Sequence, residues 1–248
     1  MITHLVFDGV TESSLGIGVD IVATAAQLAG AREANAPHAA RLLRQRVVSL
    51  DGQPVRSGAG RRIAVDGALQ LRGMGAADVL VVPGWFAATE TSMRLWLAGD
   101  ECRRAVAWLG RAAARQVLLA ASCSATFLLA EAGLLDGQRA TTTWWLGAAF
   151  ARRFPAVTLE AERMVVQAPG ALTAGAAFAH ADLMLAVIAR IASPTLAQRV
   201  ARYLVLDRRA SQSRYMVMEH LRVSDPAVQK AEQFILNRDE INIYGWAR

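Results

Sequence analysis

Short apolar runs alternate with longer segments of helical periodicity along most of the chain. The runs at 2–7, 79–82 and 117–120 have the length and the Val, Leu and Ile content of strands buried in a sheet. Between them, apolar residues recur every three or four positions, as in 18–28 and 101–113, which predicts helices that each bury one face. Strands that alternate with helices predict an α/β fold with a mostly parallel central sheet covered on both faces. In such a fold the functional site lies at the carboxyl ends of the strands.

Shorter apolar runs predict further strands in both halves of the chain. They are Val47–Leu50, Ile63–Val65, Val157–Leu159, Met164–Gln167 and Ala171–Thr173. Asp51-Gly52 is a turn signal that predicts a hairpin from the second strand into 53–55. Residues 176–191 are apolar on nearly every face, which predicts a helix buried within the domain or against a second subunit.

The character of the sequence changes after residue 206. Residues 207–214 are polar and basic, as expected of a surface connection. Ser224-Asp225-Pro226 then supplies an N-cap and a first-turn proline, and the apolar positions of 228–235 form one amphipathic stripe. A lone helix cannot bury this stripe by itself, so it either packs on the main domain or begins a further one.

Composition limits the class of protein. Hydrophobic residues make up 54% of the 248 residues, enough for the core of one large domain, or of one domain with a fragment of another. Two cysteines cannot form a framework of disulfides, and a free thiol fits a reducing compartment. Asp8 interrupts the first apolar run, and Leu118–Ala130 is shorter than the ~20 apolar residues that span a bilayer. We therefore expect a soluble, cytoplasmic protein with no membrane partner.

The net charge of +6 is compatible with a polyanionic partner. Lysine is almost absent, however, whereas Ala and Arg are abundant, a composition typical of a GC-rich genome. Charge alone therefore does not indicate a nucleic-acid surface.

The stretch 116–133 carries the clearest indication of chemistry. An apolar strand, the small residues 121–124 and a helical pattern ending at Gly133 form the strand–turn–helix arrangement of a nucleophile elbow. Cys123 would then lie beside the first free N–H groups of the helix, which favour a thiolate. A small thiol buried at a strand–helix junction fits the same spacing, because free Cys is commonly a core residue. On spacing alone, both interpretations stay open.

Three segments resemble the ThiJ/PfpI, class I glutamine amidotransferase-like superfamily. They are the Cys123 elbow, the Val-Val-Pro-Gly strand end at 81–84, and AEAGLLDGQRATTTWW at 130–145. More narrowly, the chain resembles the sensor domain that precedes an AraC-type DNA-binding module in bacterial transcriptional regulators. The segment 173–221 is similar to the connection between these two parts, and 224–248 resembles the opening of the AraC-type module.

The resemblance implies a flavodoxin-like three-layer sandwich and a division into three parts. These are a ThiJ/PfpI-like sensor domain at 1–206, a linker at 207–223, and the truncated start of a helix-turn-helix domain at 224–248. It also implies a homodimer that senses a small-molecule effector without a cofactor. DNA would be bound through a C-terminal domain that is mostly absent from this chain. The helix at 176–191 and the tail helix are the candidate dimer faces.

The departures from the family pattern concern the partners of Cys123. Enzymes of this superfamily carry an acidic residue close to the Cys sulfur, and alignment from Gly9 puts Ser14 at that position. Many relatives have His where this chain has Thr143, and several have His where it has Ser124. A hydroxyl cannot do the acid–base work of a carboxylate or imidazole near neutral pH. Cys123 therefore lacks the base and the orienting group that an activated nucleophile needs.

A binding pocket is what remains of the family site. N–H groups of Gly84 and of the backbone after Cys123 would converge as in an oxyanion hole, and in a sensor would hold a carboxylate or carbonyl. Trp85 and Trp144 would wall the cavity, each with plain core packing as the alternative, which we prefer for Trp145.

His180 is expected to be a hydrogen-bonded structural residue. The histidines, His4, His38, His180 and His220, form no plausible ligand cluster with the cysteines, so no metal site is expected.

The leading hypothesis is the ligand-sensing, dimerising domain of an AraC-family transcriptional regulator, without catalytic activity. The alternative is an enzyme of the same fold, an isonitrile hydratase or a thiol-dependent hydrolase, that uses Cys123 as its nucleophile. A third is a scaffold that acts only through its dimer interface. The sequence does not identify the effector, the operator, or whether binding activates or represses.

Overall fold

The computed structural model describes residues 1–30, 42–207 and 209–216. The chain divides into a compact unit, Met1–Arg214, and a second unit that begins at Tyr215. The first unit thus contains the beginning of the predicted linker, 207–223. The predicted helix-turn-helix segment, 224–248, lies outside the described residues, as do His38 and His220.

Ten strands and seven α-helices are found in the described part of the chain. The strands are β1 (Ile2–Leu5), β2 (Gln45–Val48), β3 (Val55–Arg56), β4 (Arg62–Ile63), β5 (Val79–Val82), β6 (Leu118–Ser122), β7 (Arg139–Ala140), β8 (Thr158–Leu159), β9 (Val165–Ala168) and β10 (Ala171–Ala174). The helices are α1 (Glu12–Gly30), α2 (Glu90–Leu97), α3 (Asp100–Ala114), α4 (Thr126–Glu131), α5 (Gly147–Arg153), α6 (Ala179–Ile191) and α7 (Pro194–Tyr203).

Six strands form the central sheet in the order β2-β1-β5-β6-β10-β9. The first five run parallel, and β9 pairs antiparallel with β10 at one edge. The predicted mostly parallel sheet is confirmed. The register places Ser122, the last residue of β6, opposite Ala174 of β10, and Ala121 opposite Val82 of β5. The carboxyl ends of these three strands therefore meet at one point.

Successive residues of the central strands pack into different cores, as the alternation of a strand requires. Leu80 and Val82 of β5 belong to a core shared with α2–α5, whereas Val79 and Val81 belong to a core shared with α1, α6 and α7. The sheet is thus the middle of three layers, which confirms the predicted sandwich.

Among the described residues, α1 is the one helix whose length and hydropathy would allow it to cross a membrane. In the folded unit its apolar residues Ile21, Val22 and Ala25 are fully buried in the core that α1 shares with α6 and α7. This is the packing of a core helix, and it accounts for the apolar composition.

Two features around the sheet differ from the expectations. Asp51-Gly52 does form a turn, with Gly52 at φ 81°, but β3 pairs with β4 and not with β2. The predicted hairpin is wrong because β1 pairs with one edge of β2 and residues 66–69 occupy the other, where Asp66 N donates to Val47 O at 2.7 Å and Leu69 N donates to Ser49 O at 2.8 Å. Helix α7 was not predicted, although Ser193-Pro194 gives the same N-cap and first-turn proline signal that we used in the tail.

The cap of α7 gives a first prediction. Ser193 Oγ accepts a hydrogen bond from the Leu196 N–H at 3.1 Å, and Ser193→Ala leaves that donor without its partner. We expect the free energy of unfolding to fall by about 1 kcal/mol, measured by urea denaturation. Thr195→Ala, at an exposed position two residues further along, is the control and should change stability by less than about 0.5 kcal/mol. Equal effects of the two changes would contradict the assigned cap.

Candidate functional site

Cys123 occupies a sharp turn between β6 and α4. Its φ is 55°, in the left-handed region that residues with a side chain rarely adopt, and it opens a short 3₁₀ turn, Cys123–Ala125, that leads into the helix. Its N–H donates to Gly175 O at 2.8 Å, and its carbonyl accepts from Thr142 Oγ1 at 2.8 Å. These bonds hold a backbone conformation that costs about 1–3 kcal/mol. The predicted strand–turn–helix elbow is therefore present.

Gly84, just after β5, allows the neighbouring strand end to approach the elbow closely. A Cβ at this position would lie 2.6 Å from Cys123 Cβ and 2.7 Å from Ser122 O, both closer than atoms can pack. Its carbonyl accepts from Thr11 N at 3.0 Å, which ties the loop before α1 to the same point. In this structure the role of Gly84 is steric. The oxyanion-hole role expected for its N–H stays a prediction.

Ser124 fastens the elbow to the segment that follows β5. Its Oγ accepts from Trp85 N at 2.9 Å and donates to Trp85 O at 2.6 Å. With both bonds internal and the side chain fully buried, this hydroxyl is a structural tie. Its role in ligand binding stays a prediction.

The sulfur of Cys123 is enclosed by neutral groups. Burial raises the pKa of the thiol. The N–H groups of Ser124 and Ala177 and the hydroxyls of Thr143 and Ser124 oppose that shift without outweighing it. The named groups that act on the sulfur are all neutral. The thiol therefore stays protonated near neutral pH, and the thiolate that an attacking nucleophile requires is disfavoured.

The residue predicted to replace the family carboxylate lies on the side of the site formed by α1. Ser14 is buried, and its Oγ donates to Ala177 O at 3.0 Å, so it holds the loop whose N–H faces the sulfur. The nearby Glu12 is bound to Ser57 Oγ and is 3.2 Å from Arg61 Nε, a pairing that directs its carboxylate elsewhere. Ala177 could not be identified from the sequence, because a backbone N–H leaves no signature in residue type.

The tryptophans predicted to wall a cavity pack largely against other rings. Trp85 is buried, with its ring centroid 4.1 Å from that of Trp96. Trp144 and Trp145 are half-buried, with centroids 5.3 Å apart, and Trp145 Nε1 donates to Ala87 O at 2.8 Å. Beside them Phe86 is 71% exposed. The aromatic surface that meets solvent near the elbow is thus formed by Phe86, Trp144 and Trp145, and Trp85 belongs to the core.

A buried histidine pair lies behind the elbow. His180 Nδ1 is 2.8 Å from Ser122 Oγ, which confirms its predicted structural hydrogen bond, and His4 Nε2 is 3.0 Å from Gln45 Oε1. Burial lowers the pKa of His4 to about 4 and that of His180 to about 3. Both imidazoles are neutral at physiological pH. His180 is thus a poor base for a site that would work there.

The elbow is closed to solvent. Cys123 is 2% exposed, and Ser14, Ser124 and Thr143 are also buried. Cavities of about 650, 460, 410 and 250 Å³ occur elsewhere on the described residues, and none of these four is lined by Cys123. Among the described residues, no group of three His, Cys, Asp or Glu side chains is placed to hold a metal ion. Thr143 Oγ1 is buried and faces the sulfur, with no other hydrogen-bond partner.

Known proteins share this architecture. Residues 18–190 match the DJ-1/PfpI family, and the chain belongs to that family. Drosophila melanogaster DJ-1beta superposes with a TM-score of 0.65 at 18% identity, covering 84% of this chain and 98% of that chain. An AraC family transcriptional regulator from Pseudomonas putida superposes with a TM-score of 0.62 at 20% identity, covering 82% of this chain and 98% of that chain. The expected superfamily and fold are confirmed.

A curated relative points to a particular branch of the family. The chain is 36% identical over 182 residues to the HTH-type transcriptional regulator CdhR of Pseudomonas aeruginosa. The match covers 71% of this chain and 49% of the regulator. This chain thus spans about half the length of that relative.

The close approach at Gly84 gives a second prediction. Gly84→Ala places a methyl group against Cys123 and Ser122, so we expect the free energy of unfolding to fall by about 1–3 kcal/mol. Gly110→Ala in α3 is the matched control, because a Cβ there meets nothing within 4 Å. It should stabilise the protein by about 0.5–1 kcal/mol. The measurement is the urea unfolding midpoint. Equal stability of the two variants would contradict the packing described.

The histidine pair gives a third prediction, on pH dependence. In the unfolded chain both imidazoles regain a pKa near 6.5 and bind protons below it, whereas in the folded protein they bind none until about pH 4 and 3. Their effect on the free energy of unfolding is therefore absent above pH 6.5. Below it, stability falls with decreasing pH by up to about 1.4 kcal/mol per unit for each imidazole.

His4→Gln should remove about half of this slope, measured by urea unfolding between about pH 7 and about pH 4.5. The comparison with the unmodified chain subtracts the contribution of the carboxylates, which titrate in both proteins. An unchanged slope would show that His4 does not resist protonation in the folded state.

Proposed function

We propose that this chain is the effector-sensing part of a bacterial AraC-type transcriptional regulator, in which the Cys123 elbow binds a small molecule without transforming it. The observation that carries the proposal is the chemistry around the sulfur. The thiol is buried with a raised pKa, and it faces the Thr143 and Ser124 hydroxyls where many relatives have imidazoles, while Ser14, at the position of the family carboxylate, donates to Ala177 O instead. The remaining geometry supplies hydrogen bonds, which bind ligands, and no base, which would turn them over.

The relatives support regulation over catalysis. CdhR is named a transcriptional regulator, and the Pseudomonas putida structure is named an AraC family transcriptional regulator. A DNA-binding domain in such proteins would lie in the half of CdhR that this chain does not span. On this proposal the protein is cytoplasmic, acts as a homodimer, and contacts DNA through a helix-turn-helix domain of which 224–248 is the beginning.

Polar groups at the elbow indicate the chemistry of the effector. The Thr143 hydroxyl faces the sulfur and has no other hydrogen-bond partner, and the Ala177 and Ser124 N–H groups point to the same sulfur. Two N–H donors and a hydroxyl suit the carboxylate or carbonyl of an amino-acid derivative or a small amide. Phe86, Trp144 and Trp145 would cover its apolar part. Because the site is closed, entry requires the loops that carry Trp85 and Thr143 to separate.

The alternative, an enzyme that uses Cys123, is favoured by one observation. The left-handed turn at Cys123 is strained, and strain of this kind is common at catalytic sites. Catalysis would need the sulfur to lose its proton when substrate enters, either to the substrate itself or to a water molecule.

A thermal-shift screen with product analysis tests the two functions together. We expect one or more amino-acid derivatives, amines or small amides to raise the melting temperature, since a ligand at 100 times its Kd adds about 2.7 kcal/mol of stability. Mass spectrometry should recover that ligand unchanged. The unliganded protein should react with iodoacetamide at Cys123 only slowly near pH 7, and faster as the pH rises.

Two cysteine variants distinguish the outcomes. Cys123→Ser should weaken binding of the ligand and Cys102→Ser should not, because Cys102 is a buried thiol of α3 outside the site whose pKa is raised to about 11. Turnover that is lost in Cys123→Ser and kept in Cys102→Ser would overturn the sensor proposal in favour of the enzyme.

A further inference from the structure

Gln212 lies in the segment that leads to the second unit of the chain, yet its side chain is inside the first. It is 2% exposed, and its carboxamide makes four hydrogen bonds. Oε1 accepts from Ala176 N at 3.1 Å, and Nε2 donates to Ala161 O at 2.7 Å and Thr142 O at 3.0 Å, with a longer contact of 3.4 Å to Thr141 Oγ1. Both ends of the amide are therefore satisfied by the sensor fold.

The backbone of Gln212 and of the residues just before it docks on the loop before β9. Gln212 N donates to Glu162 O at 2.8 Å, and Ala210 O accepts from Met164 N at 3.2 Å. Arg209, three residues before Gln212, pairs with Asp182 of α6 and donates to Phe178 O at 2.7 Å. We call residues 209–212 the strap. It is held at both ends, by an ion pair at Arg209 and by the buried amide of Gln212.

Gly175 makes the room that Gln212 fills. A Cβ at Gly175 would lie 2.2 Å from Gln212 Oε1, so any other residue at this position would expel the side chain. Gly175 does not have the positive φ that favours glycine elsewhere in the chain, and the requirement here is for space alone. The pocket is thus shaped for one amide group.

The groups that hold Gln212 also hold the elbow. Thr142 accepts from Gln212 through its carbonyl and donates to the Cys123 carbonyl through its hydroxyl at 2.8 Å. Gly175 accepts from the Cys123 N–H at 2.8 Å. Ala176, which donates to Gln212, precedes Ala177, whose N–H faces the sulfur. Three separate connections therefore join the strap to Cys123, each through one or two residues.

We propose that Gln212 couples the state of the Cys123 elbow to the chain that leaves the sensor fold. A ligand that moves Thr142, Gly175 or Ala177 also moves the groups that bind the Gln212 amide. Displacing these groups weakens the hydrogen bonds that hold the amide in place, so the strap is released more readily when the elbow opens. Gln212 lies three residues before Tyr215, the first residue of the second unit, so detachment changes the attachment of everything that follows. The biological role of this coupling rests on the proposed sensing function, whereas the experiment that tests the coupling does not.

The test changes the strap and measures the elbow, and then changes the elbow and measures the strap, because energetic coupling between two sites is reciprocal. In the 248-residue chain with Cys102→Ser, the probe for the elbow is the rate at which iodoacetamide alkylates Cys123. The probe for the strap is hydrogen–deuterium exchange of the peptide spanning 209–216. We expect Gln212→Ala to speed alkylation by roughly tenfold, the equivalent of 1.4 kcal/mol, and Thr142→Val to speed exchange of the strap by a similar factor.

Gln198→Ala is the matched control, since Gln198 is exposed on α7, and it should change neither rate. Gln212→Met, which keeps the volume without the hydrogen bonds, replaces Gln212→Ala if that variant does not fold. In the unmodified chain, exchange of the Gln212 and Cys123 amides should show the same urea dependence, as expected for one shared opening.

The proposal would be overturned if the strap and the elbow opened independently of each other. This would be seen as unchanged alkylation in both Gln212 variants, or as different urea dependences of the two amides. Neither measurement uses an effector or DNA. A protein that proves to be an enzyme can still show the coupling, and a true sensor can lack it, so the two proposals fail separately.

Discussion

The contact between Gly84 and Cys123 is the constraint on which the rest of the site depends. Two adjacent parallel strands, β5 and β6, end at the same level, and the chain after β5 passes within a methyl group's width of the elbow. That approach lets the Trp85 backbone form two hydrogen bonds with Ser124, next to the left-handed turn at Cys123. A bulkier residue at 84 would push the strand ends apart and strain these contacts.

The same closeness explains the raised pKa of the Cys123 thiol. Water is excluded from the elbow, so the charged form of the thiol loses its solvation, and neutral N–H and hydroxyl groups replace that solvation only in part. An imidazolium in this space would lower the pKa of the thiol, whereas an ionised carboxylate would raise it further. In this chain Ser14 and Thr143 stand where the family pattern has an acidic residue and an imidazole, so the elbow keeps its backbone geometry with different side chains around the sulfur.

Much of the fold was readable in the sequence, because buried strands have a composition that few other elements share. Val79–Val82 was predicted without error, and the β6–Cys123–α4 junction followed from small residues between two apolar patterns. Helix α7 was missed even though its cap signal is local. The hairpin after Asp51 failed because pairing is decided by neighbours that are distant in sequence.

The site was only partly readable, for a related reason. Side chains such as Ser14 and Thr143 can be aligned to a family pattern. The Ala177 N–H and the pocket that holds the Gln212 amide, however, come from backbone groups that three-dimensional packing brings together. A stretch as polar as 207–214 also resembles solvent-exposed chain, and nothing in its composition indicates that one glutamine is buried. The charge pattern indicates which segment is exposed to solvent, but not which residue of that segment is buried.

The protonated thiol has a consequence for how such a protein would behave under oxidative stress. Peroxides attack the thiolate of cysteine and convert it to sulfenic acid, whereas a buried, neutral thiol is inert to them. With the pKa of its thiol raised by burial, Cys123 is expected to react with peroxide slowly while the elbow is closed. On the proposed sensing function, binding of the effector at this elbow would then be little affected by oxidants in the cell.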